Sequence, residues 1–204
     1  DVERSRGLGD VYKRQVTKYN MRYIFTTLVL FVLFSCKAQT VVSLASDSDL
    51  AFTNGTYNKD VDNDFNKYVG TWKFIQGSTS LTFEIKKLTF NHYQSKNYYE
   101  DLLVGEYRFI ENGVEKINTL SQMINPPVKA GYHNIWGNLI WTKNLFPKCD
   151  DCSQNERRIK LYITDPERKY LDNAVILRYK NENGVERIIA VSYTHLRAHE
   201  TSLH

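Results

Sequence analysis

Several residue types that carry enzyme chemistry or span membranes are scarce in this chain. Its 204 residues include only three cysteines, four prolines, two methionines and five histidines. Three of those histidines (His195, His199, His204) sit in the last stretch of chain, which leaves His92 and His133 as the imidazoles available to a folded domain. No Ser-His-Asp or Cys-His arrangement is readable around them, so nucleophilic catalysis of that kind has no visible apparatus. The apolar run Ile24–Phe34 is 11 residues long, and a membrane-crossing helix needs about 20. Charge of one sign is also short. The whole chain carries a formal +4, but between Cys36 and Ala190 there are 20 Lys and Arg against 19 Asp and Glu, a net +1. That balance removes the case for a nucleic-acid partner.

What is present begins with an oddity of the termini. Ser5–Gln15 can be back-translated with legal codons so that its reverse complement reads Val191–Glu200. Both ends look like the translated end of a sequencing transposon adapter, and segments of that origin are set aside before a fold is argued. On this reading residues 1–20 are upstream read-through and residues 191–204 an adapter-derived tail. The strand begun by Arg187–Ala190 is then expected to be cut short.

The segment that follows has the pattern of an export signal. Met21 is followed by the basic Arg22, the apolar run to Phe34 and the small Ser35, which reads as a secretory signal over residues 21–35. Leu33-Phe34-Ser35-Cys36 resembles a bacterial lipobox, which makes Cys36 the candidate lipid-bearing residue; a plain secretory signal with an incidental cysteine is the alternative. By resemblance to sorting rules, Lys37 rather than Asp after that cysteine implies the outer membrane. A lipid anchor would tether a soluble domain to the membrane without threading it through. Residues 36–67, rich in Ser, Asp, Asn and Thr, read as a tether, with Val41–Leu44 as a short strand that could dock.

From Tyr68 the chain reads as all-β. Trp72–Gln76, Leu81–Ile85, Leu88–Tyr93, Tyr98–Ile110, Val114–Ile117, Asn134–Thr142, Arg158–Thr164, Ala174–Tyr179 and Arg187–Ala190 alternate or run apolar at strand length. Leu88, Phe90 and His92 are expected on one face. Gly105, inside the longest candidate, implies a bulge or a close backbone approach. Asn112-Gly113 and Asn183-Gly184 are hairpin pairs of the kind that favours a type I′ turn. The surrounding Glu111–Ile117 recurs as Glu182–Ile188, one good hairpin used twice. Asp165–Leu171, with Pro166 at a first-turn position, could form a helical turn. Strands of this number and aromatic content suggest an antiparallel meander closing into a barrel over residues 68–190.

Tyr68-Val69-Gly70-Thr71-Trp72 resembles the Gly-x-Trp opening of lipocalin-like barrels. That resemblance implies a structural Trp72 closing one end of the barrel, with Gly70 allowing close approach. Taken with Ser35–Gln39, Asp101–Tyr107, Glu111–Lys116, Pro147–Ser153 and Glu182–Glu186, the chain resembles a functionally uncharacterised family of small bacterial lipoproteins. The resemblance brings no activity with it.

Cys149-Asp150-Asp151-Cys152 is the sharpest chemical signal. In an exported protein a close pair points first to a disulfide. A zinc site is the second reading, short of ligands because zinc ordinarily takes four. A redox pair is the third, although no βαβ pattern surrounds it. Asp60-Val61-Asp62-Asn63-Asp64 has alternating carboxylates but lacks the central glycine and distal glutamate of a calcium loop, and reads as surface. The expectation is therefore a lipid-anchored envelope protein with no cofactor, no metal and no catalytic residues. It would be a binding module for a small apolar ligand or an envelope partner, or alternatively a structural barrel filled by its own side chains. Least favoured is a thiol redox protein.

Overall fold

The computed structural model describes residues 21–28, 39–124, 129–142, 145 and 148–196, and places them in two compact units that divide at Gln39. In the first unit residues 21–28 are helical. The hydroxyls of Thr26 and Thr27 donate back to the carbonyls of Arg22 and Tyr23 at 2.8 and 2.7 Å, the usual way such side chains are satisfied within a helix. No helix among the described residues is long and apolar enough to cross a membrane. Cys36 lies outside the described residues.

The second unit is built from ten strands: β1 (Thr40–Ser43), β2 (Thr56–Lys59), β3 (Gly70–Gln76), β4 (Thr79–Tyr93), β5 (Tyr98–Glu111), β6 (Val114–Asn118), β7 (Ile135–Trp141), β8 (Arg158–Ile163), β9 (Leu171–Glu182) and β10 (Val185–Leu196). They form one curled sheet, a half-barrel. The all-β expectation holds, with two refinements. The sheet is mixed, because β1 and β2, and then β2 and β5, pair in parallel. It also stops short of closure, with β3 paired to β4 alone and β10 to β9 alone among the described residues.

Strand β5 organises the sheet. One edge pairs with β4 along most of its length. The other edge is shared in turn by β2 at Tyr99 and Glu100, by β7 at Leu103–Gly105 and by β6 at Arg108–Glu111. Three partners fit on one edge because each stays for only a few residues. Gly105 sits where the backbones crowd: an added Cβ would come within 2.5 Å of the Glu84 carbonyl oxygen. The close approach inferred from the sequence is therefore present.

Leu81–Ile85 and Leu88–Tyr93 are one strand, since Lys86 and Lys87 between them offer no turn chemistry. A bulge between Leu88 and Asn91 shifts the register. Leu88 pairs with Leu102 and Asn91 with Glu100, so His92 faces opposite to Leu88 and the expected shared face is broken there. Phe90, at the bulge, has φ 56°. Asn112-Gly113 and Asn183-Gly184 have φ values of 51° and 80°, and of 55° and 82°, as their hairpins require.

Asp165–Leu171 is not helical. The Asp165 carboxylate accepts the backbone N–H groups of Glu167 and Arg168 at 2.9 and 3.0 Å, and β9 begins at Leu171. The side chain competes with the helix for the same donors.

Residues 40–67 are more than a tether. They supply β1, β2 and the first two residues of the 3-10 turn Asn66–Tyr68, and Phe65 among them is completely buried. At the other end, β10 does not stop at Ala190. Val191–Leu196 continue in register against Leu171–Ile176, as an open sheet edge accepts any extended segment beside it.

The core lies on the concave face. Phe83, Ile85, Leu103, Tyr107, Ile135, Ile159, Leu161, Val175 and Leu177 come from β4, β5, β7, β8 and β9 and close around Phe65 and Tyr68. A smaller cluster, Leu102, Val104 and Ala130 with Leu88 and Trp136, lies on the other face of β5.

Candidate functional site

Residues 60–69 plug the half-barrel. Asp60 ends the β2 segment and is 3 % exposed. Its two carboxylate oxygens accept the backbone N–H groups of Asp64 and Phe65 at 2.8 and 3.1 Å, and the Lys87 ammonium donates to it at 2.7 Å. Those bonds turn the chain inward, so that Phe65 and Tyr68 drop onto the concave face. The Tyr68 hydroxyl donates to the Arg157 carbonyl at 3.3 Å. Burial is the main force raising the phenol well above the usual tyrosine range. Trp72 then donates its indole N–H to the Tyr68 carbonyl at 2.9 Å.

Trp72 packs against this core but is only half-buried, as are Trp136 and Trp141. Tyr68, not Trp72, is the deep aromatic of the Tyr68–Trp72 segment. Gly70 has φ +133° and open space where a Cβ would be. It is there for a backbone conformation, and the close approach expected at Gly70 occurs instead at Gly105.

Asp60 is tied to a second buried carboxylate. Asp101, 1 % exposed, accepts from the Asp60 N–H at 3.0 Å, the Phe90 N–H at 3.0 Å and the Tyr57 hydroxyl at 2.6 Å. Burial, followed by this hydrogen bond, pushes the Tyr57 phenol up to about 12. With Asp60 bound to the plug, Asp64 is taken by Lys67 and Arg157, and Asp62 by Arg157. The alternating carboxylates of 60–64 are thus spent on the protein's own cations and amides, and the expectation of a surface loop is corrected at Asp60, which is buried because its oxygens cap the turn that follows.

A third buried carboxylate lies on the convex side of β5. Glu106, 0 % exposed, receives His133 Nδ1 at 3.0 Å and the Asn134 side-chain amide at 2.7 Å. Asn134 also donates to the Gln122 side chain at 3.4 Å, so the network ties Gln122, His133 and Asn134 to β5. Sequence reasoning missed it. The available signal was the apolar run Leu102–Gly105 flanked by Asp101 and Glu106, because a buried strand keeps a carboxylate only where partners wait.

Cys149 and Cys152 form a disulfide with Cα atoms 5.3 Å apart. Cys149 is partly exposed and Cys152 is buried. With Asp151 they form the one group of three or more metal-ligating side chains among the described residues, their ligand atoms within 4.8 Å of one another. Bridged sulfurs are not thiolates and do not ligate zinc. The Asp151 carboxylate is held by Arg178 Nη1 at 2.6 Å, and Arg178 also donates to Glu156 and to the Asp151 carbonyl. The bonds from Arg178 hold both acids below the usual carboxylate range. Beside this loop is a half-open pocket of about 440 Å³, lined by Lys148, Arg158, Ile176, Arg178, Ile189 and Val191 among others. The guanidinium of Arg178 that borders it is engaged by Asp151 and Glu156.

The geometry defines a class: a curled half-barrel whose concave face is closed by an N-terminal segment and whose one cysteine pair pins a loop at the rim. The chain belongs to a family of unknown function, DUF6705, which matches residues 21–199. No curated protein and no solved structure matches the chain.

Proposed function

We propose that this chain is a non-catalytic envelope lipoprotein, anchored through Cys36, whose half-barrel is a structural module filled by its own residues. The observation that carries the reading is the complete burial of Phe65 and Tyr68 at the centre of the concave cluster. A cup for a small apolar ligand needs that space empty. Asp60, Asp101 and Glu106 also support it, because each spends its oxygens on backbone and side-chain donors of the fold. Anchoring rests on Leu33–Cys36 after an apolar run, and an outer-membrane site on Lys37. The same reading takes Asp1–Gln15 and Val191–His204 as adapter-derived, on their reverse-complement relation.

Two measurements test it. Cys36→Ser, expressed with its own leader, is expected to leave the membrane fraction, since acyl chains supply about 0.8 kcal/mol per buried CH₂; unchanged fractionation sinks the anchor. An apolar fluorophore titrated into the native protein is expected to show no saturable binding. One-to-one saturation would replace the filled module with the ligand-binding cup.

A further inference from the structure

We propose that the Cys149–Cys152 disulfide is a thiol-exchange site that latches the plug of the half-barrel, so that its reduction loosens residues 60–69 while the sheet stays folded. This goes beyond the structural reading above and needs no ligand.

The latch is a continuous chain of bonds. The disulfide closes the turn in which the Cys152 N–H donates to the Cys149 carbonyl at 3.3 Å. Asp151, inside that turn, is gripped twice by Arg178, at the carboxylate and at the carbonyl. Arg178 holds Glu156 with its remaining donors, and Glu156 closes a second turn by accepting the Ser153 N–H at 3.2 Å. The next residue, Arg157, clamps the plug from two directions. Its guanidinium reaches Asp62 at 2.5 Å and Asp64 at 2.7 Å, and its carbonyl accepts the Tyr68 hydroxyl. The position of Arg157 is thus set on one side by the cysteine turn and read out on the other by the segment that fills the barrel.

The two cysteines differ in burial: Cys152 is 3 % exposed and Cys149 is the less buried residue of the pair, which makes Cys149 Sγ the sulfur an incoming thiolate reaches first in this proposal. One thiolate of an external dithiol attacks Cys149 Sγ. The S–S bond breaks, and its electron pair passes to Cys152 Sγ, which takes up a proton. The second thiol of the reductant then attacks the mixed disulfide, leaves as part of a cyclic disulfide and frees Cys149. Two electrons enter the protein and the dithiol is oxidised.

Opening so short a ring restores limited chain entropy, so the effect is expected to be local. The test is amide hydrogen exchange on the full chain, oxidised and then reduced with dithiothreitol, with both free thiols confirmed by alkylation. Exchange across residues 60–69 is expected to rise by about tenfold on reduction, as for a local opening made that much easier, while β4 and β5 amides hold their rates. Cys149→Ser/Cys152→Ser should behave as the reduced protein under both conditions. Arg157→Ala, with its disulfide intact, should show the faster plug already and respond little to reductant. The proposal is overturned if reduction leaves residues 60–69 unchanged, if the increase spreads equally over β4 and β5, or if Arg157→Ala retains the full redox response. None of these outcomes depends on Cys36 or on fluorophore binding, so the latch and the structural reading fail separately.

Discussion

The carboxylate of Asp101 accepts the backbone N–H of Phe90 at 3.0 Å, at a residue whose φ is 56°. An aromatic residue in the left-handed region costs of order 1–3 kcal/mol and persists only where its surroundings hold it. Asp101 is that hold, and the same side chain collects Tyr57 and the Asp60 N–H. It therefore joins the β4 bulge to the start of the plug. Asp101→Ala would strand three donors in a site 1 % exposed and is expected to cost about 3–5 kcal/mol, the size seen on breaking a buried charged network. Urea unfolding measures it. A loss under about 1 kcal/mol, the scale of an ordinary surface change, would mean that the bulge holds itself.

Gly105 and Gly77 make a controlled pair. An alanine methyl at Gly105 meets the Glu84 carbonyl oxygen at 2.5 Å, and that oxygen belongs to backbone in the middle of the sheet. Gly77 has φ +58° but open space around it. Gly105→Ala is expected to destabilise by about 3 kcal/mol, at the upper end for overpacking, and Gly77→Ala by about 1 kcal/mol of backbone strain. Thermal melts that rank them the other way would show that β4 and β5 can separate to admit a methyl.

The legible part of this fold was its local chemistry. Asn112-Gly113 and Asn183-Gly184 announce their turns because φ > 0 at both positions is a property of those residue types. Gly105 announced either a bulge or a close approach, because a glycine inside a long strand marks one or the other, and the structure shows the close approach. The plug was not legible. Phe65 is an isolated aromatic among Asp and Asn, and its burial depends on Asp60 turning the chain inward, a contact made with Lys87 across 27 positions of sequence. Residues 36–67 therefore read as a tether on composition. Trp72 drew attention that belongs to Tyr68, four residues earlier, because Gly-x-Trp is a visible pattern and a lone tyrosine is not. Asp101 and Glu106 were passed over for the same reason: a carboxylate in a strand shows its purpose only when its donors arrive from elsewhere.

Glu100 makes stability fall as pH rises. It is 9 % exposed and accepts one side-chain amide, from Asn138 at 2.8 Å. Burial raises its carboxyl above the ordinary glutamate value of 4.5, and the Asn138 bond offsets only part of that. The folded state then holds this proton more tightly than the unfolded chain. The favourable contribution is complete below the unfolded value and is lost as pH rises through the raised folded value. Glu100→Gln keeps the acceptor for Asn138 and removes the charge. It is expected to stabilise the protein at pH 7 and to make little difference at pH 4. Denaturant titrations of both proteins at the two pH values check this; an equal effect at pH 4 and pH 7 would assign the difference to packing instead of ionisation.

The last prediction concerns Tyr68 and Trp72, which share one hydrogen bond but not one burial. Tyr68 is 0 % exposed at the centre of the concave cluster, whereas Trp72 is half-buried beside it. Removing the Tyr68 ring opens a cavity that the curled sheet cannot collapse into, since β4, β5, β8 and β9 surround it. Tyr68→Ala is expected to cost about 3–5 kcal/mol, as for large aromatics deleted from cores, and to unfold a marginally stable domain. Trp72→Ala strips packing from the rim and leaves the Tyr68 carbonyl without its donor, a loss of about 2 kcal/mol. Tyr68→Phe removes only a 3.3 Å bond to the Arg157 carbonyl and should stay within about 1 kcal/mol of the native protein. Equilibrium unfolding of the three variants ranks them. If Trp72→Ala proves the most damaging, the tryptophan and not the plug closes this half-barrel, and the opening strand carries the structural role that its Gly-x-Trp pattern suggested. If Tyr68→Ala folds and then binds an apolar fluorophore that the native protein ignores, the space Tyr68 fills is a competent cup that the chain keeps shut.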